Sequence, residues 1–447
     1  MAGLFGVFAT GPDRPVITDQ AAIDSAYRRN RVGVFTAITL GYALIYTCRL
    51  AIGVVKPRMI DEGIFTPEQF GLIGSALFYT YALGKLTNGF LADHANVRRL
   101  IAFGFLASAI CNFGMGFADT LWVAVVLWGL NGYFQGFGAP ASVVAMTAWF
   151  SNKERGRAYG FWSTAHSIGE GLTFFVIGGT VAYFGWRMGY FLPAMIGIFA
   201  AAMAYILLRD RPRTMGLPTV ADWKNDHLAE SERTKHWSVL RTQFSILAIP
   251  TIWVLALASA LNYVTRYAIN SWGPLYLQEA RGFNELESGT MLMISTLAGV
   301  VGSIAYGFIS DKFFNARRPP ANLVFSIVEL IGLWLIFFGP NNHVALTIGM
   351  VLFGLGLTGL VASLGGLFAV DICPKRVAGA AMGVIGVFSY IGAAVQENVS
   401  GVLIQQNMQN IAGDNVYDFT PVIYFWVGSA IASMLLSLTL WRAKLRD

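Results

Sequence analysis

Apolar residues run along this chain in long blocks, and the charged residues are confined to the gaps between them. A helix needs about 20 apolar residues to cross the hydrocarbon core of a bilayer. On that measure the blocks predict twelve spans, at roughly 32–56, 67–92, 98–117, 120–149, 156–183, 187–208, 247–277, 284–311, 321–339, 343–370, 378–405 and 418–441. The third and fourth nearly touch, so the turn at Ala118-Asp119 must be tight. One long polar stretch, Arg209 to Phe244, divides the spans six and six. The pattern predicts an all-α membrane protein of twelve transmembrane helices in two six-helix bundles. The halves are residues 1–208 and 247–447, joined by a linker over 209–246.

Basic residues set the expected direction. Arg28, Arg29 and Arg31 precede the first span, and Arg98 and Arg99 follow the second. Lys153, Arg155 and Arg157 follow the fourth, and Arg209, Arg211 and Arg213 the sixth. Lys312, Arg317 and Arg318 follow the eighth, Lys375 and Arg376 the tenth, and Arg442, Lys444 and Arg446 the twelfth. With twelve spans all of these share one face. The positive-inside rule makes that face cytoplasmic and puts both termini inside a plasma membrane, or a bacterial inner membrane. Lys56, Arg58, Arg187 and Arg281 are the exceptions, read as outer-loop residues.

Composition narrows the class. Of 447 residues, 55% are hydrophobic and only 13% charged, too few charges to cover a soluble protein of this length. The net charge of +6 lies in short loops, so it is no nucleic-acid footprint. Cys48, Cys111 and Cys373 are scattered, without metal-ligand spacing, and read as packing residues. The first thirty residues lack a cleavable signal pattern, so the first helix is expected to be retained. No P-loop and no set of nucleophile, base and metal ligands is visible, so neither an ATP-driven pump nor an enzyme is expected. No cofactor is expected either.

The halves echo each other. Gly89-Phe-Leu-Ala-Asp93 with Arg98-Arg99 ends the second span, and Gly307-Phe-Ile-Ser-Asp311-Lys312 ends the eighth. Arg155-Gly-Arg157 opens the fifth span, and Arg376-Val-Ala-Gly379 the eleventh. Two six-span halves related by an axis along the membrane normal resemble the major facilitator arrangement. Gly89, Asp93, Arg98 and Asp311 are expected to latch the cytoplasmic gate. The plainer alternative is that they only set topology.

Ionisable residues at membrane depth are costly and mark functional sites by default. Arg49 lies inside the first span and Arg266 at similar depth in the seventh, one per half. Facing one cavity, the two would repel each other without an anion between them. A guanidinium matches phosphate bidentately and stays charged, so a phosphate group is the expected ligand. The alternative is that each arginine pairs with a carboxylate, for which Glu170 and Glu397 are the candidates. Lys85 offers a second phosphate or gate contact, or snorkels to the surface. His166 and Glu170 share a face of the fifth span at i, i+4. Tyr42 and Tyr46 share the face of Arg49, and Tyr263, Tyr267 and Asn270 surround Arg266. Ser389 and Gln396 share a face of the eleventh span. These polar groups suit a sugar's hydroxyls, or else helix packing.

A longer set of motifs carries a resemblance. In order they are Tyr42, Tyr46-x-x-Arg49, Gly84-Lys85, Phe134-Gln-Gly136-x-Gly138-x-Pro140, Trp149-Phe-Ser-x-Lys-Glu-Arg-Gly156, and Ala165-His166-x-x-Gly169. Then come Arg209-Asp-Arg-Pro212, Gly216-Leu-Pro218, Arg266-x-x-Ile-x-x-Trp272, Tyr276-Leu, and Asp371-x-x-Pro-Lys-x-x-Ala-Gly379. From about Asp24 to Gly401 the chain resembles the organophosphate:phosphate antiporters of the major facilitator superfamily. The resemblance implies that Arg49 and Arg266 bind the substrate phosphate, with His166 and Lys85 at matching positions. Leu217 to Trp223 and Ala268-Ile-Asn-x-Trp272-Gly are most similar to the hexose-phosphate sensor and transporters, which favours glucose 6-phosphate over glycerol 3-phosphate. Departures are Leu50, Val144 and Thr296, where members of the family carry lysine, a basic residue and glutamate. Glu170 and Glu397 are also unusual.

The resemblance implies exchange of a sugar phosphate for inorganic phosphate by alternating access, in a protein that works as a monomer in the bilayer. Three rivals use the same residues: a membrane sensor of hexose phosphate signalling to a kinase, a glycerol-3-phosphate exchanger, and a proton-coupled carrier using Glu170 or Glu397.

Overall fold

The computed structural model describes residues 6–226, 247–372, 378–411 and 414–441. Cys373, Lys375, Arg376, Arg442, Lys444, Arg446 and the linker beyond Asp226 lie outside the described residues. The described chain is almost entirely helical. In the first half, α1 (Gln20–Ile45) and α2 (Thr47–Asp61) make the first span, α3 (Pro67–His94) the second and α4 (Val97–Met115) the third. The fourth is α5 (Leu121–Gln135) with α6 (Gly138–Trp149). The fifth is α7 (Asn152–Leu172), a π segment (Thr173–Ile177) and α8 (Gly178–Phe184), and the sixth is α9 (Met188–Leu207).

The second half repeats this order. Its first span is α11 (Pro250–Tyr267), a π segment (Ala268–Trp272) and α12 (Gly273–Arg281), followed by α13 (Glu285–Phe314) and α14 (Arg318–Phe338). Then come α15 (His343–Ala362), a π segment (Ser363–Leu367) and α16 (Phe368–Ile372), followed by α17 (Ala378–Gln406) and α18 (Thr420–Thr439). Ten helical stretches among the described residues are long and apolar enough to cross a membrane. The remaining two spans fall short for visible reasons: α3 carries Lys85 among glycine, serine, threonine and tyrosine, and Gly136-Phe137 divides α5 from α6.

Local chemistry marks the ends. Thr66 with Gln69 and Asn284 with Glu287 form capping boxes that satisfy the first N–H groups of α3 and α13. The opposite ends of Gln405 to Phe419, expected as a loop, hold a hairpin of β1 (Met408–Ile411) and β2 (Asp414–Tyr417), paired antiparallel from Met408↔Tyr417 to Ile411↔Asp414.

Helices α3 and α17 run along each other between the halves, as do α7 and α13. The approach is close at the end away from the basic loops. A Cβ on Gly53 would lie 2.7 Å from the Asn270 carbonyl oxygen, and one on Gly71 2.7 Å from that of Glu397. Only glycine permits backbones this near. Gly156, Gly160, Gly365 and Gly383, toward the basic-loop end of their spans, have nothing within 4 Å of a built Cβ among the described residues. The close backbone contacts between the halves thus lie at the outer end.

The described part of the linker docks on the first half. Trp223, in α10 (Val220–Lys224), stacks on Tyr27 at 4.1 Å and donates to Asp24 at 2.6 Å, while Tyr27 donates to the Pro218 carbonyl. Residues 14 and 17 of the N-terminal arm donate to the carbonyls of Arg213 and Gly216. Asp210 accepts from the Val97 N–H at the start of α4, and burial pushes its carboxyl above the ordinary aspartate range.

Candidate functional site

Arg49 sits one turn into α2, just past the break at Tyr46, and is 2% exposed. Its Nε donates to Gln135 Oε1 at 2.8 Å and Nη1 to the Tyr46 hydroxyl at 3.3 Å. Its guanidinium carbon lies 4.6 and 4.2 Å from the ring centres of Tyr46 and Tyr81, within cation–π range. Gln135 is itself held. Its amide donates to Ser108 and Asn131, and Asn131 and Asn112 donate to the Cys48 carbonyl. A polar network across α2, α4 and α5 thus aims one guanidinium at the space between the halves. Among the described residues it pairs with no carboxylate.

Arg266 ends α11, directly before the π segment Ala268–Trp272. Its Nη2 is ion-paired with Glu170 Oε1, across the halves. Glu170 in turn precedes the π segment Thr173–Ile177. Such segments interrupt the regular ladder and recur at functional sites. The expected repulsion between the two arginines is therefore corrected: Arg266 is neutralised within the protein. Glu170 turns to Arg266 rather than to His166.

His166, Glu170, Arg266, Asn270, Ser295 and Thr296 are among the residues lining one cavity of about 20 Å³, room for one or two waters. A second, of about 10 Å³, is lined by Arg49, Tyr267, Asn270 and Glu397, so Asn270 borders both. His166 lies within electrostatic reach of Arg266, Glu170 and Arg49, with its ring 6.3 Å from that of Tyr46. Lys85 is half-buried on the basic-loop side. Its ammonium lies 4.9 Å from the Tyr390 ring centre and 5.8 Å from that of Tyr81. Tyr42 packs on Tyr46 and Trp162. Tyr263 packs on Tyr267 and Tyr390, and the buried Tyr267 hydroxyl has no partner among the described residues.

Other expected residues fall elsewhere. Ser389 bonds Ser259 at 2.8 Å in the α11–α17 interface, and Gln396 donates to Ser400, which also accepts from Trp426 of α18. Both are packing contacts within the second half. Arg98 is turned to the Tyr205 carbonyl and ring on α9, inside its own half. Asp311 pairs with Arg318, which also holds Asp371 at 2.5 Å, joining α13, α14 and α16. Gly89 and Asp93 stand in α3, and their surroundings lie outside those described.

Two residues were missed. Lys56, expected in an outer loop, is fully buried because α2 continues to Asp61. Its ammonium donates to Ser271 at 2.9 Å, pairs with Glu397 at 3.5 Å, and lies 3.4 Å from the Trp272 ring centre. Gln135 stood inside the Phe134-Gln-Gly136 motif, but an uncharged amide gives no burial signal of its own. Among the described residues, no group of three or more His, Cys, Asp and Glu side chains could hold a metal.

Two six-span halves, each bringing a buried arginine to one of two adjoining cavities, define a membrane carrier. The Major Facilitator Superfamily model matches residues 38–396, and the chain belongs to that superfamily. It is 35% identical to the membrane sensor protein UhpC of Salmonella typhimurium, over 85% of this chain and 87% of that one. It is 33% identical to a glycerol-3-phosphate transporter of Bacillus subtilis, over 85% and 87%. A probable hexose phosphate transport protein of Chlamydia trachomatis is 32% identical, over 85% and 86%. Among solved structures, a bacterial homologue of the human lysosomal transporter Spinster superposes with a TM-score of 0.74 at 16% identity, over 94% of this chain and 99% of that one. The last comparison bears on the fold alone.

Proposed function

We propose that this protein transports organophosphates across the membrane, and that it exchanges a sugar phosphate, glucose 6-phosphate first, for inorganic phosphate by alternating access. The observation that carries the reading is the pair Arg49 and Arg266, one from each half, buried at adjoining cavities that share Asn270. Arg49 is charged, held in position by neutral groups, and pairs with no carboxylate among the described residues. Lys85 and His166 add donors on the same path. A phosphate bridging both halves would link ligand binding to their relative movement. The similarity to hexose phosphate and glycerol-3-phosphate transporters supports an organophosphate cargo. The basic residues gathered in one set of loops support, by the positive-inside rule, an inner or plasma membrane with those loops on its cytoplasmic side.

The similarity to a membrane sensor favours one second reading, a receptor that binds hexose phosphate and moves it slowly. Proteoliposomes loaded with phosphate and given labelled glucose 6-phosphate separate the two. Exchange in the wild type, lost in Arg49→Lys and Arg266→Lys, is expected. Binding without exchange leaves the sensor. Neither binding nor exchange ends the glucose 6-phosphate assignment and makes glycerol 3-phosphate the next ligand to test.

A further inference from the structure

The two arginines are satisfied in different ways. Arg49 is met by neutral groups, the Gln135 amide and the Tyr46 hydroxyl, and keeps its charge for a ligand. Arg266 is met by a carboxylate from the opposite half. Glu170 is 4% exposed and lines the same cavity as Arg266. A buried charge of this kind is stable only when matched. Phosphate and the Glu170 carboxylate seek the same guanidinium N–H groups, so they compete for Arg266. Both partners also stand within three residues of the start of a π segment, where the helix ladder is interrupted.

We propose that Glu170 is a built-in counter-anion. It holds Arg266 between ligands, yields it to an incoming phosphate group, and lets the two halves change places without one. The inference rests on the reading of Arg266 as a phosphate ligand. In a carrier whose arginines have no internal anion, closing the unloaded cavity would bury two uncompensated charges, and movement would be tied to bound phosphate. Here the closed, unloaded cavity keeps Arg266 neutral. Net movement of substrate down its gradient therefore accompanies exchange, and phosphate binds more weakly than the two guanidinium groups would otherwise allow.

Two readouts test this. In proteoliposomes with potassium and valinomycin to clamp the potential, uptake of labelled glucose 6-phosphate is compared between phosphate-free and phosphate-loaded vesicles. The wild type is expected to fill both. Exchange that is active in loaded vesicles and absent from phosphate-free ones overturns the inference while leaving the antiporter intact. In detergent, phosphate affinity is measured for the wild type and for Glu170→Gln by protection against thermal unfolding. Removing the competitor is expected to tighten phosphate binding by roughly tenfold or more. Unchanged affinity overturns the inference. Glu170→Asp, which keeps the charge and shortens its reach, is expected to fall between and guards against misfolding of the amide variant. If the wild type moves nothing in either vesicle, transport itself fails and the affinity comparison alone decides the role of Glu170.

Discussion

Gln135 decides how Arg49 points. The amide oxygen takes the Nε proton, and the amide nitrogen is fixed by Ser108 and Asn131. Replacing it by leucine leaves a charged donor unmet and frees the guanidinium to rotate, a loss of about 1.5–3 kcal/mol. Gln135→Leu is expected to raise the KM for substrate by about tenfold or more, with the protein still inserted and folded. Ser389→Ala is the contrast. Its hydroxyl faces Ser259 rather than the cavity, so transport kinetics are expected within about twofold of wild type, since isolated neutral hydrogen bonds contribute only about 0.5–1.5 kcal/mol. The two variants measured side by side test the placement of both residues. At this scale the sequence showed the rare charges at membrane depth and named the two unusual carboxylates as candidate partners for the arginines. It did not fix which pairs form, and Glu397 pairs with Lys56 rather than with an arginine. Glu170 and Arg266 are 96 residues apart, and Lys56 and Glu397 341, so the contacts exist only once the halves are packed. Lys56 was misread through a span end set about one turn short.

Twelve spans were legible because apolar blocks of bilayer length are a strong signal, and their observed ends mostly fall within a few residues of the expected ones. The π segments were not, since one extra residue per turn leaves hydropathy unchanged. Nor was the β1–β2 hairpin, whose short polar strands sit in an otherwise loop-like stretch. The linker shows the same limit from the other side. It was read as a polar connector, yet its described part is bound to the first half through the Trp223–Tyr27 stack and the Trp223–Asp24 bond. Aromatic stacking adds about 0.5–1.5 kcal/mol beyond the area buried. Trp223→Ala is expected to release this segment, seen as faster proteolysis between Arg209 and Asp226 at unchanged helix content. An unchanged cleavage rate would mean the backbone contacts to the N-terminal arm hold it alone.

Among the described residues, two buried ion pairs tie the halves together, and they sit on opposite demands. Glu170–Arg266 lines the cavity, where a ligand can take over the guanidinium. Lys56–Glu397 lies on the outer side among Ser271, Trp272, Phe70 and Gly74, with side chains 0% and 1% exposed. Glu397 also borders the smaller cavity beside Arg49, and the pair joins α2 to α17 across the halves, so it must separate whenever the outer end opens. Breaking such a pair by removing one partner costs about 3–5 kcal/mol, because the other charge stays buried, whereas neutral replacement of both is often tolerated. Lys56→Met is therefore expected to destabilise the closed form and to favour outer opening, where Glu397 regains water. The double variant Lys56→Met, Glu397→Gln is expected to recover most of that loss. A double-mutant cycle on thermal unfolding reads the coupling directly. Labelling of Ser271→Cys by a membrane-impermeant thiol reagent from the outer side, in a background without the native cysteines, reads the opening. Labelling should rise in the single variant and fall back in the double. Equal labelling in all three backgrounds would make the pair a packing feature of the second half's contact with α2, and the closure of the outer end would then rest on the close backbone contacts there, at Gly53, Gly71, Gly289 and Gly401 among them.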